Sequence, residues 1–323
     1  MNVTKRKMEK TIDKEKTQHV SVMLDEVVEA LEIKEGDCVV DATLGGGGYT
    51  KKLREIVGKN GHVISIDKDE SAIQRMKIFA KEQGWQNITL LHSDFRNIGI
   101  IVNDVRKGKK VDAVVADLGV SSDQINNPLR GFSFMTEGPI DMRMDTSQEM
   151  SANEIVNTCT TEDLKKLIAT YGDEPYAKRI ADAIVSSRPL STTIQLAQAI
   201  KQVVPRNLKS KIHPATKTFQ ALRIAVNKEY EGIEEFLDGA VGVLKKDGIL
   251  VIVSFHSGED HIVKNVMRNK ARGCICPPEL PQCVCKKPQE LKIRRGKPQT
   301  PKEDEVKRNP RARSAKMRVA QKV

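Results

Sequence analysis

The residues best suited to bind a ligand follow short apolar segments in the first half of the chain. Asp41 ends one such segment, and four consecutive glycines at 45–48 follow it closely. Asp67 and Asp117 end two further apolar segments. Glycine allows positive φ angles and removes the Cβ that would keep a ligand away from the backbone. This spacing predicts a pocket in which a glycine loop meets several carboxylates.

Two classes of ligand fit a glycine loop of this kind. A dinucleotide fingerprint that begins at Gly45 would need a third glycine at position 50, which is Thr50 here. S-adenosylmethionine carries a sulfonium, which neighbouring acids attract. Asp67 is placed to bind ribose hydroxyls and Phe95 to stack on adenine, so the pattern favours the methyl donor over an oxidoreductase cofactor. A tight turn for the glycines and a core position for Phe95 are the alternatives.

The elements predicted around these residues form a parallel α/β sheet, because strand-like and helix-like runs alternate. Strands are predicted at 37–41, 61–67, 88–92 and 111–116, and helices at 49–57 and 70–82. Ligands of open parallel sheets bind at the carboxyl ends of the strands. The acids that end these strands are therefore expected on one edge of the sheet.

The alternation stops after Asp117, and the next clear strand is predicted at 248–254. A simple crossover needs far fewer residues. The predicted elements beyond Asp117 are amphipathic helices at 161–171, 176–186 and 193–203, returning helices at 216–227 and 230–245, and final strands near 290–294 and 316–320. The predicted organisation is a disordered arm (1–18), a sheet domain (19–127 and 215–323) and an inserted helical substrate-recognition subdomain (128–214).

Charge and composition limit the class of protein. Of the net charge of +11, segment 286–323 contributes +10, with fourteen Lys or Arg against four Asp or Glu. A basic segment is typical of a protein that binds a polyanion, although such tails also aid solubility. No apolar run is long enough to span a membrane, and the first eighteen residues lack a signal-peptide core. We therefore expect a cytoplasmic protein with no membrane partner and no obligate protein partner.

Four cysteines lie within twelve residues: Cys274, Cys276, Cys283 and Cys285. Four thiolates suit tetrahedral zinc, although the paired C-x-C spacing differs from the common C-x-x-C. Structural zinc held by all four is one interpretation. Two disulfides or uncoordinated thiols are the others.

Six longer motifs resemble the bacterial 16S rRNA (cytosine-N4)-methyltransferase family. They are HVSVMLDE at 19–26, DLGVSSDQ at 117–124, RGFSF at 130–134, GPIDMRMD at 138–145, HPATKTFQALR at 213–223 and SFHS at 254–257. The resemblance covers nearly the whole chain from His19. It implies a Rossmann-like class I methyltransferase sheet with an inserted helical subdomain, and S-adenosyl-L-methionine as cofactor. The implied substrate is the N4 amine of a decoding-centre cytidine in 16S rRNA of the small ribosomal subunit.

Carried over position by position, the resemblance also implies the site residues. The implied cofactor contacts are Gly47, Gly48, Tyr49, Asp67, Phe95, Asp117 and Gln124. Many family members have histidine at the position of Tyr49, so no side-chain role is carried over there.

Catalytic and RNA-binding residues are predicted with their alternatives. Asp117 is the expected acceptor for the target amine, or else a cofactor contact. His256 is expected to face the target base or take its proton, or else to be structural. The expected RNA contacts are Arg130, Phe132, Arg143, Lys217, Arg311 and Arg313. Internal ion pairs for Arg143 and hydrophobic anchoring for Phe132 are the alternatives. A non-catalytic RNA-binding assembly factor that retains the pocket is the alternative function.

Overall fold

The computed structural model describes residues 21–205, 212–277, 282 and 284–323. The predicted disordered arm therefore lies outside the described residues. The strands are β1 (Cys38–Asp41), β2 (His62–Asp67), β3 (Ile88–His92), β4 (Val111–Asp117), β5 (Leu244–Ser254), β6 (Leu291–Ile293) and β7 (Lys316–Lys322). They form one sheet in the order β3-β2-β1-β4-β5-β7-β6.

The described α-helices precede, connect and follow these strands. They are α1 (Leu24–Leu31), α2 (Gly48–Val57), α3 (Glu70–Glu82), α4 (Ile98–Arg106), α5 (Ser122–Asn126), α6 (Ala152–Thr158), α7 (Thr161–Gly172), α8 (Ala177–Ser186), α9 (Thr193–Val203), α10 (Thr216–Asn227), α11 (Glu229–Val243), α12 (Ser257–Ala271) and α13 (Glu303–Arg308). No helix within the described ranges is both long and apolar enough to cross a membrane.

Strands β1 to β5 are parallel, which confirms the predicted α/β sheet. Strand β7 is antiparallel to both β5 and β6. The strand order reverses between β1 and β4, because the chain goes from β1 outward to β3 and then crosses back to β4. Such a switch point opens a crevice at the carboxyl ends of the strands. Asp41 and Asp117 therefore end neighbouring strands beside that crevice.

Both faces of the sheet are covered, which explains why its strands are continuous apolar runs. Val40 and Val114 are buried with α11 and α12 on one face. Val39 and Val115 are buried with α1 and α2 on the other face. Strand β1 is an example of a predictable strand: every one of its residues is buried, so its apolar run is not interrupted by an alternation with exposed polar residues.

The helical insertion has a hydrophobic core of its own. Leu164, Ile180 and Leu196 from three of its helices are fully buried in that core. Phe219 and Leu222 of α10 pack into the same cluster. Helix α10, which the sequence analysis placed in the sheet domain from 215 onward, thus shares the hydrophobic core of the insertion. An amphipathic pattern shows that a helix has an apolar face but does not identify the core that covers it.

One further prediction about the C-terminal half needs correction, and the two final strands predicted there are observed as β6 and β7. The helix predicted at 230–245 ends at Val243, and Leu244 already pairs with Val111 as the first residue of β5. The basic segment 286–323 is folded over its described residues, with β7 between β5 and β6. Its alternating apolar residues, such as Met317 and Val319, are buried in the sheet, so most of this segment is part of the body of the protein.

Candidate active site

A cavity of about 340 Å³ opens at the carboxyl ends of β1, β2 and β4. This volume lies within the range of small-molecule sites. Five of the seven predicted cofactor residues line the cavity: Tyr49, Asp67, Phe95, Asp117 and Gln124. The structure thus brings together residues that are up to 75 positions apart in the sequence.

The four glycines of the loop have two kinds of surroundings, since two of them line the cavity and the other two pack against side chains. Gly45 and Gly46 line the cavity. Gly47 has φ +77° at the start of α2, and a Cβ there would collide with Met76. A Cβ on Gly48 would collide with Ser21. Gly47 and Gly48 therefore permit close packing, and the cofactor contact that the resemblance implies for them stays a prediction.

Asp67 fixes the glycine loop from the end of β2. Its Oδ2 accepts a hydrogen bond from Gly45 N at 2.7 Å, and its Oδ1 accepts one from Asp69 N at 2.7 Å. Burial raises the pKa of Asp67 despite these two donors. A carboxylate oxygen can accept more than one hydrogen bond, so both oxygens retain capacity for ligand hydroxyls.

Asp69 connects this loop to the insertion. Its Oδ2 accepts hydrogen bonds from Gln124 Nε2 at 3.0 Å and from Arg130 Nη1 at 2.8 Å. Burial alone would raise the pKa of Asp69, but hydrogen bonds from Ser71, Arg130 and Gln124 lower it overall. Gln124 also completes a capping box with Ser121 at the start of α5. Its side chain therefore holds the wall of the cavity in place.

Asp117 presents a buried oxygen to the cavity. Its Oδ1 has no hydrogen-bond partner among the described residues. Burial raises the pKa of this carboxyl well above its usual value, and the nearby Asp41 and Glu259 raise it further. Buried polar atoms nearly always have partners in folded proteins. Asp117 Oδ1 is therefore a candidate acceptor for an N–H or O–H group of a bound ligand.

Behind the cavity, Asp41 belongs to a buried network of hydroxyls. Thr50 Oγ1 donates to Asp41 Oδ2 at 2.6 Å and lies 2.7 Å from Ser65 Oγ. Position 50, where the dinucleotide fingerprint requires glycine, thus holds a side chain that joins helix α2 to two strands. Thr50 is fully buried, so it fixes the packing between helix and sheet.

The pH dependence of stability tests this network. Burial raises the pKa of Asp41 to about 7, so the folded protein binds an extra proton below that pH. The contribution of Asp41 to the free energy of unfolding therefore falls as pH rises from its unfolded pKa through about 7. Asparagine cannot ionise. As pH rises from 5 to 8, we expect the free energy of unfolding of Asp41→Asn, measured by urea titration, to increase by about 2 kcal/mol relative to that of the wild type.

The exposed Asp104 of α4 supplies the control for that titration. Asp104→Asn is measured at the same pH values as the reference for an Asp-to-Asn change outside the network. A stability difference between Asp41→Asn and the wild type that does not change from pH 5 to 8 would show that Asp41 does not titrate in this range.

His256 lies outside the cavity lining and caps helix α12. Its Nδ1 accepts a hydrogen bond from Glu259 N at 3.4 Å, and its Nε2 lies 2.8 Å from Glu259 Oε1. It lines an adjacent open cleft, and Phe255 lines both the cleft and the cavity. The structure thus places the two predicted catalytic residues in neighbouring cavities, and the role of His256 stays a prediction.

Most of the predicted RNA contacts have partners within the protein. Arg130 donates to Asp69 and to the carbonyl oxygens of Arg143 and Met144. Arg143 makes a bidentate ion pair with Asp141, in which Nε donates to Oδ1 at 3.0 Å and Nη2 donates to Oδ2 at 2.8 Å. Arg130 thus ties the insertion to Asp69, beside the glycine loop. Arg143 is paired within the insertion, which is the alternative that the sequence left open for it.

The remaining predicted RNA contacts differ in exposure. Lys217 Nζ donates to Asp173 O at 2.6 Å, and Phe132 packs against the core of the insertion. Arg311 lines the cavity and donates to Asn126 Oδ1 at 2.8 Å. Arg313 is exposed and lines the adjacent cleft. Of the predicted RNA contacts, Arg311 and Arg313 are thus the two that are exposed beside the two cavities.

Sequence reasoning missed the role of Asn227 in the cavity wall. Its Oδ1 accepts from Met144 N, and its Nδ2 donates to Met142 O, both at 2.8 Å. Arg223, on the same helix, forms a two-pronged ion pair with Glu229, and both of these residues also line the cavity. An asparagine at the end of a helix normally indicates only a cap, so the sequence carries no signal for this contact.

The strand order and the site together define a Rossmann-like class I methyltransferase fold. An antiparallel β7 between β5 and β6 completes the sheet, and the acids at the ends of β2 and β4 line one cavity beside the glycine loop. The chain belongs to the MraW methylase family, which matches residues 16–323. The predicted relationship to rRNA methyltransferases is thereby confirmed.

Several curated relatives are similar over almost their entire length. A ribosomal RNA small subunit methyltransferase H from Halothermothrix orenii is 45% identical over 310 residues, covering 95% of this chain and 99% of that protein. The protein of the same name from Finegoldia magna is 42% identical over 313 residues, with the same coverage. The structure of an rRNA methylase from Streptococcus thermophilus is 12% identical with a TM-score of 0.40, covering 93% of each chain.

Proposed function

We propose that this protein transfers a methyl group from S-adenosylmethionine to the N4 amine of a decoding-centre cytidine in 16S rRNA of the small ribosomal subunit. The observation that carries the proposal is the buried Oδ1 of Asp117, which has no hydrogen-bond partner in the described part of the chain and lies in the cavity that Asp67 also lines. The names of the relatives support an rRNA substrate. The motif resemblance supports the cytidine and its N4 atom.

The residues present fit the proposed cofactor. The Asp67 carboxylate would bind the ribose hydroxyls, and the face of Phe95 would contact the adenine ring. The backbone of Gly45 and Gly46 can approach the amino-acid end because these residues have no Cβ. When bound, S-adenosylmethionine supplies a methyl group activated by positively charged sulfur.

The chemistry of the amine determines what the protein must add. The lone pair of a cytosine N4 amine is delocalised into the ring, so the nitrogen is a poor nucleophile. Asp117 Oδ1 would accept a hydrogen bond from the amine, hold the nitrogen in position and favour a pyramidal geometry. Transfer of the methyl group would leave the N4 nitrogen positively charged, and the ionised Asp117 carboxylate would then take the proton that this nitrogen loses. Burial raises the pKa of Asp117, which makes its carboxylate a stronger base than an exposed one.

We propose that the target nucleotide reaches Asp117 through the adjacent cleft, because Phe255 lines both the cleft and the cavity. This cleft of about 650 Å³ lies between the insertion and the C-terminal segment, and is lined by His213, Phe255 and Arg313 among others. Enzymes that modify a base normally act on a single strand or a flipped base. We place the RNA backbone in the cleft and the cytosine past Phe255, toward the cavity.

This path predicts a specific effect of salt on RNA binding. Arg313→Gln is expected to weaken RNA binding several-fold at low salt and to reduce the slope of log K against log salt by about one. The reason is that exposed Arg313 would neutralise a phosphate in the cleft. Arg295→Gln is the matched control, because Arg295 is equally exposed in the same basic segment but lines neither cavity. Identical slopes for Arg313→Gln and the wild type would exclude this phosphate contact.

The proposed function is tested by incubating the protein with methyl-labelled donor and with either small subunits or naked rRNA. Transfer of label to RNA is expected with at least one of these substrates. Binding of donor and RNA without any transfer would instead favour the non-catalytic assembly factor.

A further inference from the structure

We propose that Cys274, Cys276 and Cys285 bind a structural zinc ion in the loop between α12 and β6. This site is separate from the cavity and does not depend on the proposed function. The Sγ atoms of the three cysteines all lie within 4.8 Å of one another. Three sulfurs from a stretch of twelve residues thus converge on one point.

The spacing of the sulfurs fits a tetrahedral metal. Cys274 Sγ and Cys285 Sγ are 3.8 Å apart. Zinc–sulfur bonds of about 2.3 Å at tetrahedral angles place two sulfurs about 3.8 Å apart. The sulfurs of a disulfide are only about 2.0 Å apart, so this pair has the separation of two metal ligands.

Backbone donors surround the sulfurs. Ile275 N donates to Cys285 Sγ, Cys276 N to Cys274 Sγ and Cys285 N to Cys276 Sγ, each at 3.4 Å. Backbone N–H groups that donate to a ligand atom orient that atom for a metal ion. Each of the three cysteine sulfurs accepts one such bond. In the described part of the loop, the backbone at 275, 276 and 285 is therefore arranged around the sulfurs.

Tetrahedral zinc takes four ligands, and the described thiolates supply three. Cys283, which the sequence analysis included as a ligand, lies outside the described residues. The proposal is therefore limited to Cys274, Cys276 and Cys285. A spectroscopic count of thiolates in the loaded protein determines what fills the fourth position.

The ion would stabilise the edge of the sheet. The C-terminal end of the loop already contacts α12, since Glu290 N donates to Lys270 O at 2.9 Å and Lys287 Nζ donates to Asn269 O at 2.7 Å. Strand β6, which follows the loop, has only three residues and pairs on one side with β7. We therefore expect loss of metal to loosen this loop and β6 while leaving the cofactor cavity unchanged.

Metal analysis of the full-length protein, purified without chelator, tests the site directly. Mass spectrometry of the metal content is expected to give about one zinc per chain, and cobalt substitution should give the thiolate charge-transfer and visible bands of a tetrahedral site. Serine variants of the three cysteines should each lose most of the zinc. Cys159→Ser is the matched control, because Cys159 lies in the insertion at the end of α6.

A second readout keeps the proposal testable if the variants fail to fold. Removal of zinc from the wild type is expected to speed tryptic cleavage after Lys286 about tenfold or more, because the loop loses its cross-link. The affinity for the demethylated cofactor should remain unchanged. Wild-type protein without bound zinc, or zinc retained when all three cysteines are serine, would overturn the proposal.

Discussion

Asp117→Asn is expected to lower the maximal rate of methyl transfer about 100- to 1,000-fold, the usual loss when a preorganised catalytic group is removed. Asparagine keeps the shape of the side chain and can still accept a hydrogen bond. It cannot take the amine proton, and it carries no negative charge. Single-turnover rates with saturating donor and RNA would measure this loss directly.

The same variant separates the two roles considered for Asp117. If Asp117 acts on the amine, the dissociation constant for the demethylated cofactor should change by less than about threefold, which is under 1 kcal/mol. A large loss of cofactor affinity with an unchanged maximal rate would make Asp117 a cofactor contact and contradict the acceptor role. Asp112→Asn is the control, because Asp112 lies at the amino end of the same strand, away from the cavity.

Asp67→Asn is expected to weaken cofactor binding about 100-fold, since each hydrogen bond to a charged acceptor contributes about 1.5–3 kcal/mol. The variant loses the negative charge offered to the ribose. It also disturbs the glycine loop, because an amide nitrogen replaces one of the oxygens that accept from Gly45 N and Asp69 N. Calorimetry with the demethylated product measures the affinity, and rates at saturating donor should fall much less.

Glu70→Gln provides the matched control for this experiment. Glu70 is an exposed acid three residues further along the chain, at the start of α3, and it does not line the cavity. Its replacement should leave cofactor affinity within about twofold of the wild type. If Asp67→Asn bound the cofactor as tightly as Glu70→Gln, Asp67 could not be the ribose ligand.

Much of the sheet was predictable because its central strands are buried on both faces. Each strand from β1 to β4 is an apolar run bounded by polar residues, and each predicted strand overlaps an observed one closely. The location of the acids that end these strands follows from the same reasoning, because the carboxyl ends of parallel strands lie at the same edge of the sheet. Asp67 and Asp117 were therefore identifiable as cavity residues from the sequence alone.

Contacts between distant segments could not be predicted in this way. Arg130 pairs with Asp69, which is 61 residues earlier in the chain, and this partner decides whether its guanidinium is available to RNA. The packing of α10 into the insertion could not be predicted for the same reason, because the amphipathic pattern of this helix fits either hydrophobic core. Asn227 shows a third case, because a short polar side chain gives no sign in the sequence of the backbone groups that it will bind.

The most direct test of the central claim is the identity of the methylated nucleoside. Small subunits that lack the modification are incubated with the protein and methyl-labelled S-adenosylmethionine, and their RNA is then digested and separated by chromatography with mass detection. We predict label in N4-methylcytidine with the wild type and far less at the same time point with Asp117→Asn. Label in 5-methylcytidine or in a ribose methyl, or no transfer by a protein that binds the donor, would contradict the account.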